Sequence, residues 1–140
     1  MNQSALLIDK RAVVFGAGGS IGTAVTRQFA AHGAHVFLAG RSAGPLEAVT
    51  QVIKDSGGKA ECQVVDALDE TAVEKYLDGV VERAGRIDIE FNAIGPLIAA
   101  YGNGKLAVDL AVDEFEAALT VLAKKKGNVD ARACCTLYAH

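Results

Sequence analysis

Residues 12–22 read Ala12-Val13-Val14-Phe15-Gly16-Ala17-Gly18-Gly19-Ser20-Ile21-Gly22, and this stretch decides the fold. Ala12–Phe15 is a short apolar run rich in valine and broken by Gly16, the pattern of a buried strand. From Ser20 onward, Ile21, Ala24, Val25 and Phe29 recur at helical spacing, and Gly33 stands where such a helix would stop. The glycines between strand and helix have a physical use. Lacking β-carbons, they let backbone N–H groups approach a pyrophosphate, while the helix N-terminus adds partial positive charge. No lysine follows Gly22, so a Walker-type phosphate loop is not supported.

The alternation continues outward from this turn. His35–Ala39 reads as strand two, and Leu46, Val49 and Ile53 mark helix two, closed by Gly57-Gly58. Lys59–Val65 is strand three; Val73, Leu77, Val80, Val81 and Ala84 mark helix three, ended by Gly85; Ile87–Phe91 is strand four. Strands alternating with helices of this length imply βαβ units, and right-handed crossovers make the sheet parallel and doubly wound. The fold class expected is therefore α/β, a Rossmann-like sheet of strand order 3-2-1-4. Gly95–Lys105 reads as a loop, and Ala111, Phe115, Ala118, Leu119 and Leu122 give a fourth amphipathic helix. Lys124-Lys125-Lys126 and Gly127 look like its end, where positive charge suits the helix dipole. Residues 1–126 are thus expected to form the dinucleotide-binding domain, and 127–140 an irregular tail or a substitute strand.

Composition sets the wider limits. The 140 residues are 51% apolar and 22% charged, an ordinary globular balance. A net charge of −3, with Lys and Arg not gathered into a stripe, speaks against a nucleic-acid partner. No apolar run is long enough to span a bilayer, and Met1–Lys10 lacks the basic start of a signal peptide. Cys62 stands alone, Cys134 adjoins Cys135, and the odd count fits reduced thiols in a cytoplasmic setting. Cys134-Cys135, His32, His35 and His140 show no metal-ligand spacing, so no metal site is expected.

Val14-Phe15-Gly16-Ala17-Gly18-Gly19-Ser20-Ile21-Gly22 resembles the Thr-Gly-xxx-Gly-x-Gly fingerprint of the short-chain dehydrogenase/reductase family. Phe15 departs from the usual threonine, and Ser20 from the middle glycine, although its N–H and hydroxyl can still meet a phosphate. At the end of strand two, Gly40-Arg41-Ser42 stands where family members preferring NAD carry an acidic residue. Gly40 removes the carboxylate that would repel a 2′-phosphate, and Arg41 offers a charged planar fork suited to one. Asp66-Ala67 is similar to the family's acidic position near the adenine, and is equally readable as a helix N-terminal carboxylate. Asn92-Ala93-Ile94-Gly95 resembles its Asn-Asn-Ala-Gly, with Ala93 and Ile94 as replacements. The resemblance runs from Lys10 to Gly95. It implies NADP(H) as cofactor, bound weakly or not at all, on Gly16, Gly18, Gly19, Ser20, Ile21, Gly22, Arg41, Ser42, Asp66, Ala67, Asn92 and Ala93.

The family's chemistry uses a tyrosine, a lysine one helical turn later and a serine, which come after a fifth strand. Only 45 residues follow Gly95, so the chain is expected to be truncated before them and to hold no catalytic residue. Tyr101-Gly102-Asn103-Gly104-Lys105 matches Tyr-x-x-x-Lys by letter, but its two glycines oppose the helix on which that spacing matters. Tyr138 lies too near the end, and two turns after Phe115 the family's asparagine is replaced by Leu122. Strand four alternates, with Asp88 and Glu90 between Ile87, Ile89 and Phe91, which hints at incomplete cover on one face.

Three readings follow: a truncated oxidoreductase-like chain inactive alone, a non-catalytic nucleotide-binding or assembly module, and a reductase completed by a partner chain or the Tyr101 loop. As an edge, strand four is expected to join a second copy into a homo-oligomer, with Phe115, Leu119 and Leu122 buried beside it, in preference to a fold-back of Val129–Leu137.

Overall fold

The computed structural model describes residues 5–95 together with 111–113, 116, 117, 119, 120, 123, 124, 127 and 129. Its elements follow in strict alternation: β1 (Arg11–Phe15), α1 (Ser20–Ala31), β2 (His35–Gly40), α2 (Ala43–Asp55), β3 (Lys59–Val64), α3 (Glu70–Ala84) and β4 (Ile89–Asn92). The strands form one parallel sheet in the order β3-β2-β1-β4, as the alternation of apolar runs and amphipathic segments requires. Val13 pairs with Phe37 on one side and with Glu90 on the other, so β1 is the axis of the sheet.

Each face of that sheet has its own core. Val13, Phe15, Phe37 and Ala39 point toward α3 and meet Val73, Tyr76, Leu77 and Val80. Ala12, Val14, Val36 and Leu38 point the other way, onto Leu46, Val49 and Ile53 of α2. Because side chains alternate along a strand, a run such as Ala12-Val13-Val14-Phe15 must be apolar throughout to serve both cores. Burying β1 and β2 on both faces is the main hydrophobic stabilisation, at roughly 25 cal/mol per Å² of apolar surface.

Several expectations shift. Residues 87 and 88 precede β4 instead of opening it. Ile87 is buried in the α3-side core, and Asp88 is spent on Arg11: the Arg11 N–H donates to Asp88 Oδ2 at 2.8 Å, and the Asp88 N–H to the Arg11 carbonyl at 2.9 Å. On α1 the apolar stripe is buried only in part: Phe29 packs against the α2-side core and Val25 is half-buried. Gly22 and Thr26 are buried, whereas Ala24 is exposed and Ile21 is 67% exposed. The start of the helix lies against the glycine turn, so its inner face takes residues without bulk.

The C-terminal part is helical at every described position from 112 to 129, including Gly127 and Val129. The helix end expected at Gly127 is thus not found there. Val129 is completely buried in the α3-side core, and that burial outweighs the roughly 1 kcal/mol that a glycine costs a helix. Leu119, expected to be buried, is 53% exposed. Phe115, Leu122, the Tyr101–Lys105 stretch, Cys134, Cys135 and Tyr138 lie outside the described residues. No helix among the described residues is long and apolar enough to cross a membrane.

Candidate functional site

A cleft of about 240 Å³ opens at the C-terminal ends of the strands, between the residues that follow β1 and those that follow β4. It is walled by the β1–α1 turn (Gly16, Gly18, Gly19), the β2–α2 connection (Gly40, Arg41, Ser42, Pro45, Leu46), the β3–α3 connection (Val65, Asp66, Ala67) and the residues after β4 (Ala93, Ile94, Gly95).

The glycine turn owes its shape to a small set of bonds. The Gly16 and Ala17 N–H groups both donate to the Ala39 carbonyl, at 2.8 and 3.2 Å, which ties the turn to the end of β2. Gly19 N–H donates back to the Gly16 carbonyl at 3.1 Å, and the Thr23 hydroxyl donates to the Ala17 carbonyl at 2.9 Å. Gly16 has φ +74°, in the left-handed region that favours glycine. Gly22 permits a close approach: a β-carbon there would stand 2.1 Å from the Gly16 carbonyl oxygen. In α1, the first intrahelical donor is Thr23 N–H, which reaches the Gly19 carbonyl at 2.8 Å. The N–H groups of Ser20, Ile21 and Gly22 therefore lie ahead of the helix's own ladder, as the first N–H groups of any helix do.

Charge at the helix starts separates α1 and α2 from α3. Neither α1 nor α2 has an acidic residue in its first turn, and neither N-cap, Gly19 or Ser42, makes a side-chain capping bond. By contrast α3 is capped by Asp69, whose carboxylate accepts the Ala72 N–H at 3.0 Å, and has Glu70 in its first turn. The positive ends of α1 and α2 are thus left uncompensated by carboxylates on their own first turns, an arrangement suited to an anion. Arg41 is exposed directly before α2, and Gly40 beside it contributes no charge.

Asp66 and Asn92 shape the connections that follow their strands. Asp66 Oδ1 accepts the Leu68 N–H at 3.0 Å, a local turn, while the cap of α3 is Asp69. Asp66 lines the cleft and is not the cap of α3. Asn92 Oδ1 accepts the Ile94 N–H at 3.1 Å, and the Ala93 N–H donates to the Phe15 carbonyl at 2.9 Å. Asn92 braces the wall without being part of it.

Of the residues selected from sequence, Gly16, Gly18, Gly19, Arg41, Ser42, Asp66, Ala67 and Ala93 line this one cleft. Ser20, Ile21, Gly22 and Asn92 do not line it; the Ile21 side chain faces solvent. Sequence reasoning missed Phe15, Pro45, Leu46 and Val65 as wall residues. Leu46 was legible only as core, and nothing in the pattern marks Pro45.

Away from the cleft, Glu61 bridges His35 at 3.1 Å and Arg83 at 3.3 Å on the α3 side of the sheet. Burial holds the His35 imidazole below its ordinary value, against the pull of Glu61. Burial likewise pushes the Tyr76 phenol well above its ordinary value, so it stays protonated inside the core. Among the described residues, no group of three His, Cys, Asp or Glu could hold a metal ion.

The family model described as short chain dehydrogenase matches residues 10–124. An uncharacterised oxidoreductase, YxbG, of Bacillus subtilis is 36% identical over 89 residues, covering 64% of this chain and 33% of that protein. Meso-2,3-butanediol dehydrogenase of Serratia marcescens is 36% identical over 91 residues, covering 65% and 36%. Among solved structures, a metagenomic short-chain oxidoreductase in complex with NADP superposes with TM-score 0.81 at 29% identity, over 97% of this chain and 59% of that one. An NAD+-bound xylitol dehydrogenase does so with TM-score 0.83 at 28% identity, over 94% and 49%. The chain thus spans about a third of the length of the curated relatives it matches, and about half that of the solved chains.

Proposed function

The chain belongs to the short-chain dehydrogenase family, and from that premise we propose that its cleft binds NADP(H) in preference to NAD(H). One observation supports this reading above the others. Arg41 and Ser42 line the same cleft as the glycine turn, and the last residue of β2 before them is Gly40 instead of an acid. The turn and the α1 N-terminus suit the pyrophosphate, and Arg41 with the start of α2 suits a 2′-phosphate. NADP(H), when bound, supplies or accepts a hydride. The residues here hold and orient it.

Hydride transfer to a carbonyl also needs a proton donor beside the nicotinamide. Among the described residues no tyrosine reaches the cleft, since Tyr76 is sealed in the core. We therefore propose that these 140 residues bind the nucleotide and do not catalyse oxidoreduction alone, the catalytic groups coming from elsewhere. The chain contains no tryptophan, so NADPH emission can be followed without energy transfer from tryptophan. Titration should show NADPH binding at least about tenfold tighter than NADH, the effect of one charge-assisted contact. Equal affinities would overturn the preference, and no binding of either would overturn the nucleotide reading.

A second reading, homo-oligomerisation along β4, is favoured by the position of β4 as an outer strand of the described sheet. A monomer mass by light scattering would refute it.

A further inference from the structure

Besides its bonds to the Ala39 carbonyl at the end of β2, the glycine turn meets the start of α2 at Pro45. A β-carbon on Gly18 would stand 3.0 Å from Pro45 Cβ, with the Leu46 N and Cδ2 next nearest at 3.9 and 4.0 Å. The first turn of α2 therefore rests directly on the glycine turn, with the Pro45 ring as the point of contact. Leu46, one residue on, is buried in the core and also lies against Gly40, whose β-carbon position is 3.4 Å from Leu46 Cδ2. Proline is suited to this place. It is the third residue of α2, where no intrahelical N–H is required, and its ring fixes φ at a helical value. Arg41 and Ser42 are joined to it by a single helical turn.

We propose that Pro45 is a positioning residue that sets the separation between the glycine turn and Arg41–Ser42, so that the cleft selects ligands with two phosphates at one spacing. The inference rests on the NADP(H) reading and adds a specificity role for a residue that need not touch the ligand. Two phosphate sites on one rigid frame act as a bivalent receptor. The second contact is gained only if its distance from the first matches the ligand. Shifting α2 against the turn by a few tenths of an ångström should leave each single-phosphate contact intact and weaken the gain from making both.

The probes are 2′,5′-ADP, which carries both phosphates, and 5′-AMP and 2′-AMP, which carry one each. Calorimetry on the folded chain gives their affinities. Pro45→Gly should weaken 2′,5′-ADP by about tenfold while changing either mononucleotide by no more than about twofold. Gly18→Ala, which pushes Pro45 outward, should weaken 2′,5′-ADP as well. In the double variant the added methyl group occupies the space left by the missing ring, and 2′,5′-ADP affinity should recover most of its loss. Equal weakening of all three ligands would make Pro45 ordinary scaffold. Unchanged 2′,5′-ADP binding in Pro45→Gly, or no recovery in the double variant, would also overturn the proposal while leaving NADP(H) binding in place. If the parent chain binds 2′,5′-ADP no better than the mononucleotides, the two-phosphate reading falls, and the role of Pro45 with it.

Discussion

The backbone of Ala93 passes so close to Gly16 that a β-carbon on Gly16 would stand 2.9 Å from both the carbonyl carbon and the carbonyl oxygen of Ala93. The two residues follow neighbouring strands, and the contact packs the glycine turn against the chain leaving β4. The Ala93 N–H, donating to the Phe15 carbonyl, fixes the same junction from the other side. The cleft is therefore built on a backbone-to-backbone contact.

That contact predicts the outcome of Gly16→Ala. The variant adds a clash with an unyielding backbone to the cost of a side chain at φ +74°. Together these should destabilise the fold by about 2 kcal/mol or more. Urea denaturation measures the loss, and an unchanged midpoint would mean that the turn and the β4 exit are not in contact.

A second prediction concerns acid stability at the opposite end of the sheet. Asp88 is partly buried, which disfavours its charge, yet the Arg11 N–H, the Arg86 guanidinium at 2.9 Å and Lys10 at 3.9 Å hold its carboxyl below the usual range. A carboxyl lowered in the folded state contributes stability that is present above its unfolded value, about 3.9, and lost as pH falls through the folded one. Asp88→Asn should therefore cost about 1–2 kcal/mol at neutral pH and progressively less below pH about 4. A deficit that stays constant across that range would show that the charge of Asp88 is not the stabilising feature.

The third prediction tests the C-terminal part. Val129 is enclosed by the α3-side core, so Val129→Ala should destabilise the chain by about 1–3 kcal/mol, and Val129→Asp by more. Removing residues 127–140 should cost at least as much as Val129→Ala. If both changes leave thermal unfolding unaltered, the segment is the dispensable tail that its irregular sequence suggests.

Strand order and the position of the cleft were legible in the sequence for a physical reason. A strand buried on both faces must be apolar throughout, and the turn beside it must be short of β-carbons; Ala12–Gly22 satisfies both demands. What was not legible depends on contacts between elements distant in sequence. The apolar stripe of α1 pointed to Ile21, Ala24, Val25 and Phe29; Phe29 does pack against the core, but the close approach of Gly22 to Gly16 leaves Ile21 and Ala24 outside and turns Gly22 and Thr26 inward. Gly127 suggested a helix end because glycine is a poor helix former, and burial of Val129 overrides that local preference. Pro45 gave no signal at all, since its importance lies in what it meets across the cleft.

The last prediction concerns Arg41, which stands exposed at the cleft between the end of β2 and the start of α2. Its guanidinium is permanently charged and can form two parallel bonds to a phosphate, a geometry that a lysine cannot reproduce. NADPH and NADH differ only by the 2′-phosphate, so a residue that reads this group must affect one and spare the other. Arg41→Ala should weaken NADPH by about 1–3 kcal/mol, as for a lost charge-assisted contact, and leave NADH nearly unchanged. Arg41→Lys should recover only part of the loss, because the charge returns without the fork. Added salt should narrow the NADPH preference of the parent, since an exposed pair is screened. Equal weakening of both nucleotides by Arg41→Ala would place Arg41 at the pyrophosphate instead. The preference would then have to come from Ser42 and the α2 N-terminus, which Ser42→Ala can test in the same titration.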